Sequence, residues 1–320
     1  MAKYIGLDIE DNEIYMAKNG DTVYMQMPEN LLKDNKVISP ESLSKFIKSV
    51  KKEGSIGGNG IALVLPDDAT FFRNVTSPVV SDAQLKLNLP YEFRDFVGSN
   101  SIEYNYDYVV TSYDKDENDN VSGINILAAA ANKKVVEEYY NIIKRAGLKL
   151  KVALPHEMAL INIMKNADEN KEYCLINIAY DHCNVYIFNG NKLTATKMID
   201  IGCKDIDLAI AANLNIDLYL AASYRNTNHN NVLESEYLNN IYENIALEVM
   251  KTINFYRYEN QETNLSEVYF FGTGCRLNTL KKNICGNVQF TEEDIKNILP
   301  DEYKNDENAD RCLLSIGVTL

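Results

Sequence analysis

The chain begins with short apolar runs separated by turn residues, a pattern that predicts β-strands. Residues 4–9, 14–17 and 22–27 form three such runs, and each has the length of an ordinary strand. The dipeptide Asn19-Gly20 stands between the second and third runs, and Asn-Gly favours the two-residue turn of a β-hairpin. We therefore expect three strands at the start of the chain, of which the last two form a hairpin.

The same arrangement recurs in the second half of the chain. Residues 173–178, 184–188 and 192–199 are again three apolar runs, and Asn189-Gly190 separates the last two. In both halves a segment with helical spacing of apolar residues follows the strands. The repetition indicates two similar lobes, each built from three consecutive strands and a helix.

Capping signals and apolar spacing predict the remaining elements. Ser39-Pro40-Glu41 places a capping residue and a first-turn proline at the start of a helix that ends at Gly54. Pro90 predicts a kink or break in a helix over residues 83–96, and the acidic segment 301–310 is expected to be loose. The other expected elements are strands at 61–65, 70–75, 104–110, 124–130 and 268–271, a solvated loop tip at 114–120, and helices over 135–143 (ending at Gly147), 206–214, 234–258 and 313–320.

Composition and charge exclude several functional classes. A chain of 320 residues exceeds the size at which one hydrophobic core stops growing. Its net charge of −14 opposes binding to nucleic acids and adsorption to anionic membranes. The six cysteines contain no CxxC pair, so reduced, buried thiols are expected.

Two further absences in the sequence limit the chemistry. The three histidines, His156, His182 and His229, show no ligand-like spacing, so no zinc site is expected. No apolar run approaches the roughly 20 residues that span a bilayer. We therefore expect a protein that works at a membrane only through a partner.

Six short motifs occur in a specific order along the chain. They are Ile5-Gly6-Leu7-Asp8-Ile9, Leu65-Pro66 with Arg73, Tyr106-Asp107-Tyr108, Leu127-Ala128-Ala129-Ala130 with the later Ala146-Gly147-Leu148, residues 271–277, and Ser315-Ile316-Gly317-Val318. Their order and spacing resemble the PilM family of type IV pilus assembly proteins, which belongs to the actin-like ATPase superfamily and is similar to the division protein FtsA. The resemblance implies an α/β, actin-like (ribonuclease-H-type) two-lobed fold with an inserted FtsA-like subdomain in the first lobe. It places the first core subdomain at 1–67 with 153–170, the insert at 68–152 and the second lobe at 171–320.

Actin-like folds hold nucleotide phosphates in two hairpin turns, where glycine lets the phosphates approach the backbone N–H groups. The resemblance places the first turn at Glu10 and Asp11, where relatives have small residues, and puts Tyr15 where relatives have a lysine. In the second turn, Asn177 and Ala179 replace a carboxylate and a glycine. A carboxylate about 5 Å from a phosphate charge costs roughly 3 kcal/mol at an effective dielectric constant near 20. The nucleotide loops are therefore expected to be degenerate.

The resemblance still defines a candidate nucleotide site. Its residues are Asp8 (which in relatives organises magnesium through water), Glu10, Asp11, Asn177, Ala179, Gly202, Gly272 and Gly274. No catalytic residue and no metal site are predicted. No cofactor is expected, and weak binding of Mg-ATP is the alternative.

The resemblance also implies a partner, the cytoplasmic tail of a single-span, PilN-like protein of the inner membrane. This tail would lie in a groove between the first core subdomain and the insert, and Leu85, Leu89, Tyr91 and Phe93 either line that groove or pack the insert's own sheet. The expected role is a cytoplasmic scaffold, peripheral to the inner face of the membrane through this partner, with the assembly motor ATPase as a second contact. Neither nucleic-acid binding nor direct membrane insertion is expected. The alternatives are an ATP-controlled switch and a filament-forming actin-like protein.

Overall fold

The computed structural model describes residues 2–28, 30–116 and 119–320. Residues 117 and 118 of the expected loop tip at 114–120 lie outside the described residues. In the first half of the chain the elements are, in order, β1 (Ile5–Ile9), β2 (Glu13–Lys18), β3 (Asp21–Gln26), β4 (Leu32–Lys33), β5 (Lys36–Val37), α1 (Pro40–Glu53), β6 (Gly60–Val64), β7 (Thr70–Pro78), α2 (Asp82–Glu92), α3 (Arg94–Val97), β8 (Tyr104–Lys115), β9 (Val121–Asn132), α4 (Lys133–Arg145), β10 (Lys149–Leu154) and α5 (His156–Ile163). In the second half they are β11 (Glu172–Ile178), β12 (Cys183–Asn189), β13 (Lys192–Ile199), α6 (Cys203–Leu214), α7 (Leu218–Thr227), α8 (Asn239–Glu259), β14 (Glu267–Phe271), α9 (Asn278–Val288), β15 (Thr291–Glu293) and α10 (Leu313–Gly317).

Two sheets with the same strand order form the centre of the molecule. The first has the order β10-β6-β1-β2-β3 and the second the order β13-β12-β11-β14-β15. In each, three consecutive strands pair antiparallel, and two later strands add in parallel beside the first of them. The repeated unit expected from the sequence is therefore confirmed. The hairpin between β2 and β3 turns at Asn19 and Gly20, which both have positive φ, as a two-residue turn of this kind requires.

Helices cover the outer face of each sheet. On the first sheet, α1 and α4 pack through Leu43, Ile47, Tyr139 and Ile143, which are fully or almost fully buried. This sheet with α1 and α4 is the first lobe. On the second sheet, α6 to α9 pack in the same way, and this sheet with those helices is the second lobe.

The insert is a separate three-stranded sheet of order β7-β9-β8, with α2 and α3 on one of its faces. Its expected boundary at residue 152 is wrong, because two elements before that residue belong to the first lobe. The helix α4 packs in the first lobe's core, and β10 pairs in parallel with β6. The insert's sheet and helices span residues 70–132. The helix expected over residues 83–96 is divided at Phe93 into α2 and α3, three residues after Pro90.

A shared core lies between the inner faces of the two sheets. It contains α5 and α10 and side chains from both sheets. The expected assignment of all residues after 171 to the second lobe is therefore wrong for α10, which packs against β1. A Cβ on Gly6 would lie 1.7 Å from the backbone oxygen of Ser315, so β1 and α10 meet without room for any side chain.

The acidic segment 301–310 is ordered, contrary to the expectation of a loose tail. Tyr303 and Ala309 are fully buried. Asp306 accepts hydrogen bonds from the hydroxyl and the backbone N–H of Thr22, at 2.5 and 3.2 Å. The Asp306 carboxylate thus attaches the segment to β3.

The long helix expected from residue 234 begins at Asn239, because residues 229–238 form two 3₁₀ segments instead.

Across residues 2–28, 30–116 and 119–320 we find no individual helix with the length and apolarity of a membrane span, although α6 and α7 meet both measures when joined across a bend of 108°.

Candidate functional site

The turn after β1 and the turn after β11 face each other across the cleft between the lobes. Glu10 connects them directly. Its Oε2 accepts a hydrogen bond from the backbone N–H of Tyr180 at 3.0 Å and another from the hydroxyl of Thr273 at 2.9 Å. Burial in the cleft, with a smaller contribution from the charge of Asp8, raises the pKa of Glu10 to about 8. At neutral pH the Glu10 carboxyl is therefore mainly protonated and acts as a hydrogen-bond acceptor with little charge.

Asp11 faces a different part of the molecule. Its two carboxylate oxygens accept hydrogen bonds from the backbone N–H groups of Asp34 and Asn35, at 2.7 and 2.8 Å. Asp11 thus stabilises the turn between β4 and β5. Of the two acidic residues, Glu10 is the one whose carboxyl bonds across the cleft.

The glycine and alanine positions expected in the candidate site are closely packed. The backbone N–H of Ala179 donates to the carbonyl of His182, that of Gly272 to Asp310, and that of Gly274 to Ile178. Gly202 donates to the carboxylate of Asp205 at 2.9 Å. Together with the N–H of Tyr180, all of these cleft amides already have acceptors from the chain itself.

Asp8 and Asn177 lie at the bottom of the cleft. Asp8 is buried, and this burial raises its pKa to about 6 although the nearby His156 opposes the rise. Asn177 is fully buried, and neither polar atom of its amide has a hydrogen-bond partner. Gly272 lies so close that a Cβ there would be 2.0 Å from the Asn177 Oδ1.

A cluster of histidines and carboxylates that the sequence analysis missed crosses the same cleft. Asp67 lies between two imidazoles, with its Oδ1 2.9 Å from His156 Nδ1 and its Oδ2 3.0 Å from His182 Nε2. The Nδ1 of His182 is 2.6 Å from Asp181 Oδ1, and the amide of Asn184 donates to Asp67 Oδ2 at 2.7 Å. Asp67 and His156 come from the first-lobe side of the cleft, whereas the other three residues come from the second lobe.

The ion pairs of this cluster outweigh the effect of burial. Burial alone would lower the pKa values of both histidines, but Asp67 raises that of His156 to about 9, and Asp181 with Asp67 raises that of His182 to about 10. Burial alone would likewise raise the pKa of Asp67, but the two imidazoles hold it well below its usual range. At neutral pH the cluster therefore consists of two imidazolium cations and the carboxylates between and beside them.

The pairing of two strands explains part of this cluster. Asp67 follows β6 and His156 follows β10, and these two strands are parallel neighbours. The carboxyl ends of parallel strands meet at one edge of a sheet, so the two side chains were bound to be close. Within the described residues, no group of three or more His, Cys, Asp or Glu side chains is arranged to hold a metal ion.

A second buried network flanks the cleft. Glu13 is fully buried and pairs with Arg311 at 3.3 Å, while the amide of Asn226 donates to it at 3.0 Å. Tyr15 donates its hydroxyl hydrogen to Glu13 Oε2 at 2.6 Å, and the Tyr15 oxygen is 2.5 Å from Thr273 Oγ1. Tyr15, which the resemblance places at the position of a lysine, thus takes part in a contact between the lobes.

A groove runs between the insert and the first lobe. It encloses a cavity of about 400 Å³. The insert contributes the face of its sheet that lies opposite α2 and α3. The end of β10 and the start of α5 form the other side of the groove. Its apolar lining includes Phe72, Val109, Leu127, Ala129, Leu154 and Met158.

The residues expected to line this groove lie elsewhere. Successive residues of β9 point to opposite faces of the insert's sheet. Leu85, Leu89 and Phe93 are buried against the face that points away from the groove. Tyr91 is on the outer surface of α2 and is 72% exposed. The alternative stated above, that these residues pack the insert's own sheet, is therefore correct for the three buried ones.

The fold defines the class of protein. The structure is similar to that of a solved PilM-PilN type IV pilus biogenesis complex, with a TM-score of 0.82, 16% sequence identity, and coverage of 99% of this chain and 97% of that chain. It is also similar to the ethanolamine utilization protein EutJ from Carboxydothermus hydrogenoformans (TM-score 0.59, 14% identity, 99% and 89% coverage) and to an archaeal actin homolog (TM-score 0.51, 11% identity, 100% and 98% coverage). These similarities show that the chain has the actin-like fold.

The family is shown by the sequence. The sequence model of the family described as type IV pilus assembly protein PilM matches residues 8–309, which is most of the chain. The chain belongs to the PilM family, as the motifs indicated. No curated protein sequence matches it significantly.

The actin-like fold implies a magnesium nucleotide in the cleft, and the residues present do not fit one. The backbone N–H of Tyr180 is bonded to Glu10, and those of Ala179 and Gly274 are bonded to backbone carbonyls. A phosphate oxygen would have to displace these acceptors, since a backbone N–H makes one good hydrogen bond. The Glu10 carboxyl is mainly protonated at neutral pH, so it repels a phosphate charge only weakly. It opposes phosphate binding mainly because it occupies the space at the Tyr180 N–H.

Proposed function

We propose that this protein is a cytoplasmic scaffold of a type IV pilus or related assembly platform at the inner membrane. In this role it binds the cytoplasmic tail of a single-span, PilN-like partner, and through this complex it connects to the assembly motor. Membership of the PilM family supports the pilus role, and the related solved complex pairs a PilM with a PilN. The single observation that carries the proposal is the groove between the insert and the first lobe.

The groove offers backbone as well as side chains. Five consecutive residues of β8, 105–109, border it. Because neighbouring side chains of a strand point to opposite faces, consecutive bordering residues mean that the edge of the strand itself faces the groove. In the described part of the chain, β8 pairs only with β9. An extended tail can therefore add to β8 as a further strand through main-chain hydrogen bonds.

The side chains of the groove select an apolar tail. Phe72 and Leu127 on the insert face Leu154 and Met158 on the first lobe. Asp107 and Asn105 stand at the rim, where they suit the polar or basic ends of a tail. A short extended segment with apolar side chains at alternate positions matches this arrangement.

Filling the groove tests the proposal. Ala129 is half-buried on the groove face of β9, so Ala129→Phe puts a ring where the tail would lie. We expect a synthetic peptide of the PilN-type tail from the same organism to bind the wild type in a fluorescence polarisation assay. We expect Ala129→Phe to weaken this binding at least about tenfold, which corresponds to about 1.4 kcal/mol.

A matched control replaces a residue on the other side of the insert. Leu87 is 71% exposed on α2, and Leu87→Phe should leave the affinity within about twofold of the wild type. A wild type that does not bind the peptide contradicts the proposal. Equal weakening by both variants contradicts the assignment of the tail to this groove.

We also infer that the scaffold works without a bound nucleotide. The support is the set of cleft amides whose acceptors come from the chain itself. This part of the proposal makes the conformation of the lobes independent of ATP.

A further inference from the structure

We propose that the cleft contains an internal lock, in which Glu10 and Asp67 of the first-lobe side hold the second lobe closed in place of a nucleotide and its metal ion. The lock is defined by these two residues and the groups they bind across the cleft. It goes beyond the scaffold function, because it assigns a closed conformation to the free protein and names the contacts that maintain it.

The first half of the lock is the Glu10 carboxyl. Its Oε2 receives the Tyr180 N–H at 3.0 Å and the Thr273 hydroxyl at 2.9 Å. Tyr180 lies in the turn after β11, and Thr273 lies in the glycine turn after β14, so one oxygen atom joins both second-lobe turns to the first lobe. A phosphate bound between the two turns would make contacts of this type with backbone and hydroxyl donors.

The second half of the lock is the Asp67 carboxylate. It holds His182 and Asn184 of the second lobe at 3.0 and 2.7 Å, while its other oxygen holds His156 at 2.9 Å. The cationic imidazoles lie among Asp8, Asp67 and Asp181, which would otherwise repel one another. They supply the positive charge that a magnesium ion supplies between carboxylates and phosphates.

The histidines of the second half are sheltered from solvent, which strengthens their contacts with Asp67. His156 and His182 are 5% and 8% exposed, and charged pairs in such surroundings are weakly screened by salt. The pair of Lys204 with Asp34, at 2.9 Å, also joins the two lobes, but it lies at the surface, where the Asp34 side chain is 63% exposed. The surface pair therefore serves as a control that crosses the same cleft without belonging to the lock.

Hydrogen exchange of the free, full-length protein tests the lock. The readout is the exchange rate of the peptide that covers residues 178–184, which includes the Tyr180 amide. We expect Glu10→Ala and Asp67→Asn each to accelerate this exchange at least about tenfold through more frequent opening. The control Asp34→Asn should leave the rate within about twofold of the wild type.

The conservative variant Glu10→Gln keeps a hydrogen-bond acceptor at this position but cannot carry a negative charge. It therefore tests whether the hydrogen bonds alone maintain the contact. Its amide oxygen can receive the same two hydrogen bonds, so we expect wild-type exchange in this variant. Millimolar Mg-ATP should leave the exchange of the wild type unchanged, and isothermal titration should show no heat. The comparison variant in that titration is Glu10→Gly, in which the acceptor is absent from the turn.

Specific results would overturn the lock. They are unchanged exchange in both Glu10→Ala and Asp67→Asn, equal acceleration in Glu10→Gln and Glu10→Ala, or slower exchange of the wild type on addition of Mg-ATP. The assay contains no tail peptide. A failure of the proposed tail binding therefore leaves this result intact, and a failure of the lock leaves the tail assay intact.

Discussion

The substitution Asp67→Asn is the most direct perturbation of the histidine cluster. It keeps the shape of the side chain and its hydrogen bond with Asn184, but it removes the negative charge between His156 and His182. The three residues are buried or nearly so. Removing one partner of a buried ion pair costs about 3–5 kcal/mol when the other charge remains.

The histidines limit this cost, because they can release their protons once Asp67 is neutral. The pKa of His156 rises from 6.5 to about 9 in the folded protein, and one pKa unit corresponds to about 1.4 kcal/mol. The raised pKa of His156 alone thus represents roughly 3 kcal/mol, of which Asp67 contributes the larger favourable part. We expect Asp67→Asn to lower the free energy of unfolding by about 3 kcal/mol at pH 6.5.

The pH dependence carries a definite sign. Both imidazoles have folded pKa values above the unfolded value of 6.5, so their contribution is complete below pH 6.5 and is lost as the pH rises through about 9 to 10. The raised pKa values of Asp8, Glu10 and Glu157 also make the folded protein less stable as the pH rises. Burial is the main cause of the raised pKa values of Asp8 and Glu157, but the charge of Asp67 contributes to both, so the wild type loses more stability through them than the variant does. Both effects have the same sign, and the difference between the two proteins should shrink between pH 6.5 and pH 10.

Equilibrium urea unfolding at pH 6.5, 8 and 9.5 measures this difference. The control is Asp34→Asn, whose pair with Lys204 is exposed and should leave the free energy of unfolding nearly unchanged. If Asp67→Asn is as stable as the wild type at pH 6.5, or if its deficit is the same at all three pH values, the reasoning about the ion pairs is refuted.

Two further predictions concern packing. Gly272→Ala should destabilise the protein by at least about 2 kcal/mol in a thermal or urea unfolding assay, since Gly272 has a φ of 87° and its Cβ would meet Asn177 Oδ1 at 2.0 Å; a neutral result would contradict the geometry of this turn. Leu85→Asp should destabilise the insert by about 3 kcal/mol or more, because Leu85 is 4% exposed, whereas Leu87→Asp on the outer face should be nearly neutral. Limited proteolysis of the insert compares the Leu85→Asp and Leu87→Asp variants. Equal sensitivity of the two variants to the protease would contradict the burial of Leu85.

The three consecutive strands of each sheet were predictable because their signals are local. Asn19-Gly20 and Asn189-Gly190 mark hairpin turns between apolar runs, and these turns are found between β2 and β3 and between β12 and β13. A parallel edge strand has no such signal. The residues of β10 alternate much as those of the insert do, so nothing in the segment itself told which sheet it would join.

The candidate site was only partly predictable, because its contacts join residues that are distant in the sequence. The acidic turn at Glu10 was found, but the side-chain directions of Glu10 and Asp11 depend on which amides lie within reach after folding. His156 and His182 were dismissed as isolated, and only the fold brings both to Asp67. The acidic composition of residues 301–310 suggested a loose segment, because composition does not reveal that Thr22 would donate two hydrogen bonds to the Asp306 carboxylate.

The contact of β1 with α10 sets the order in which the molecule can be completed during synthesis. The core of the second lobe uses residues between Cys174 and Phe290, so it can close as soon as that stretch has left the ribosome. The shared core includes Leu313 and Ile316, and the inner face of the first sheet stays uncovered until these residues arrive to pack at Gly6. Contacts of such long sequence separation form slowly. We therefore expect β1, although it is made before every element of the second lobe, to be among the last strands to be fully buried.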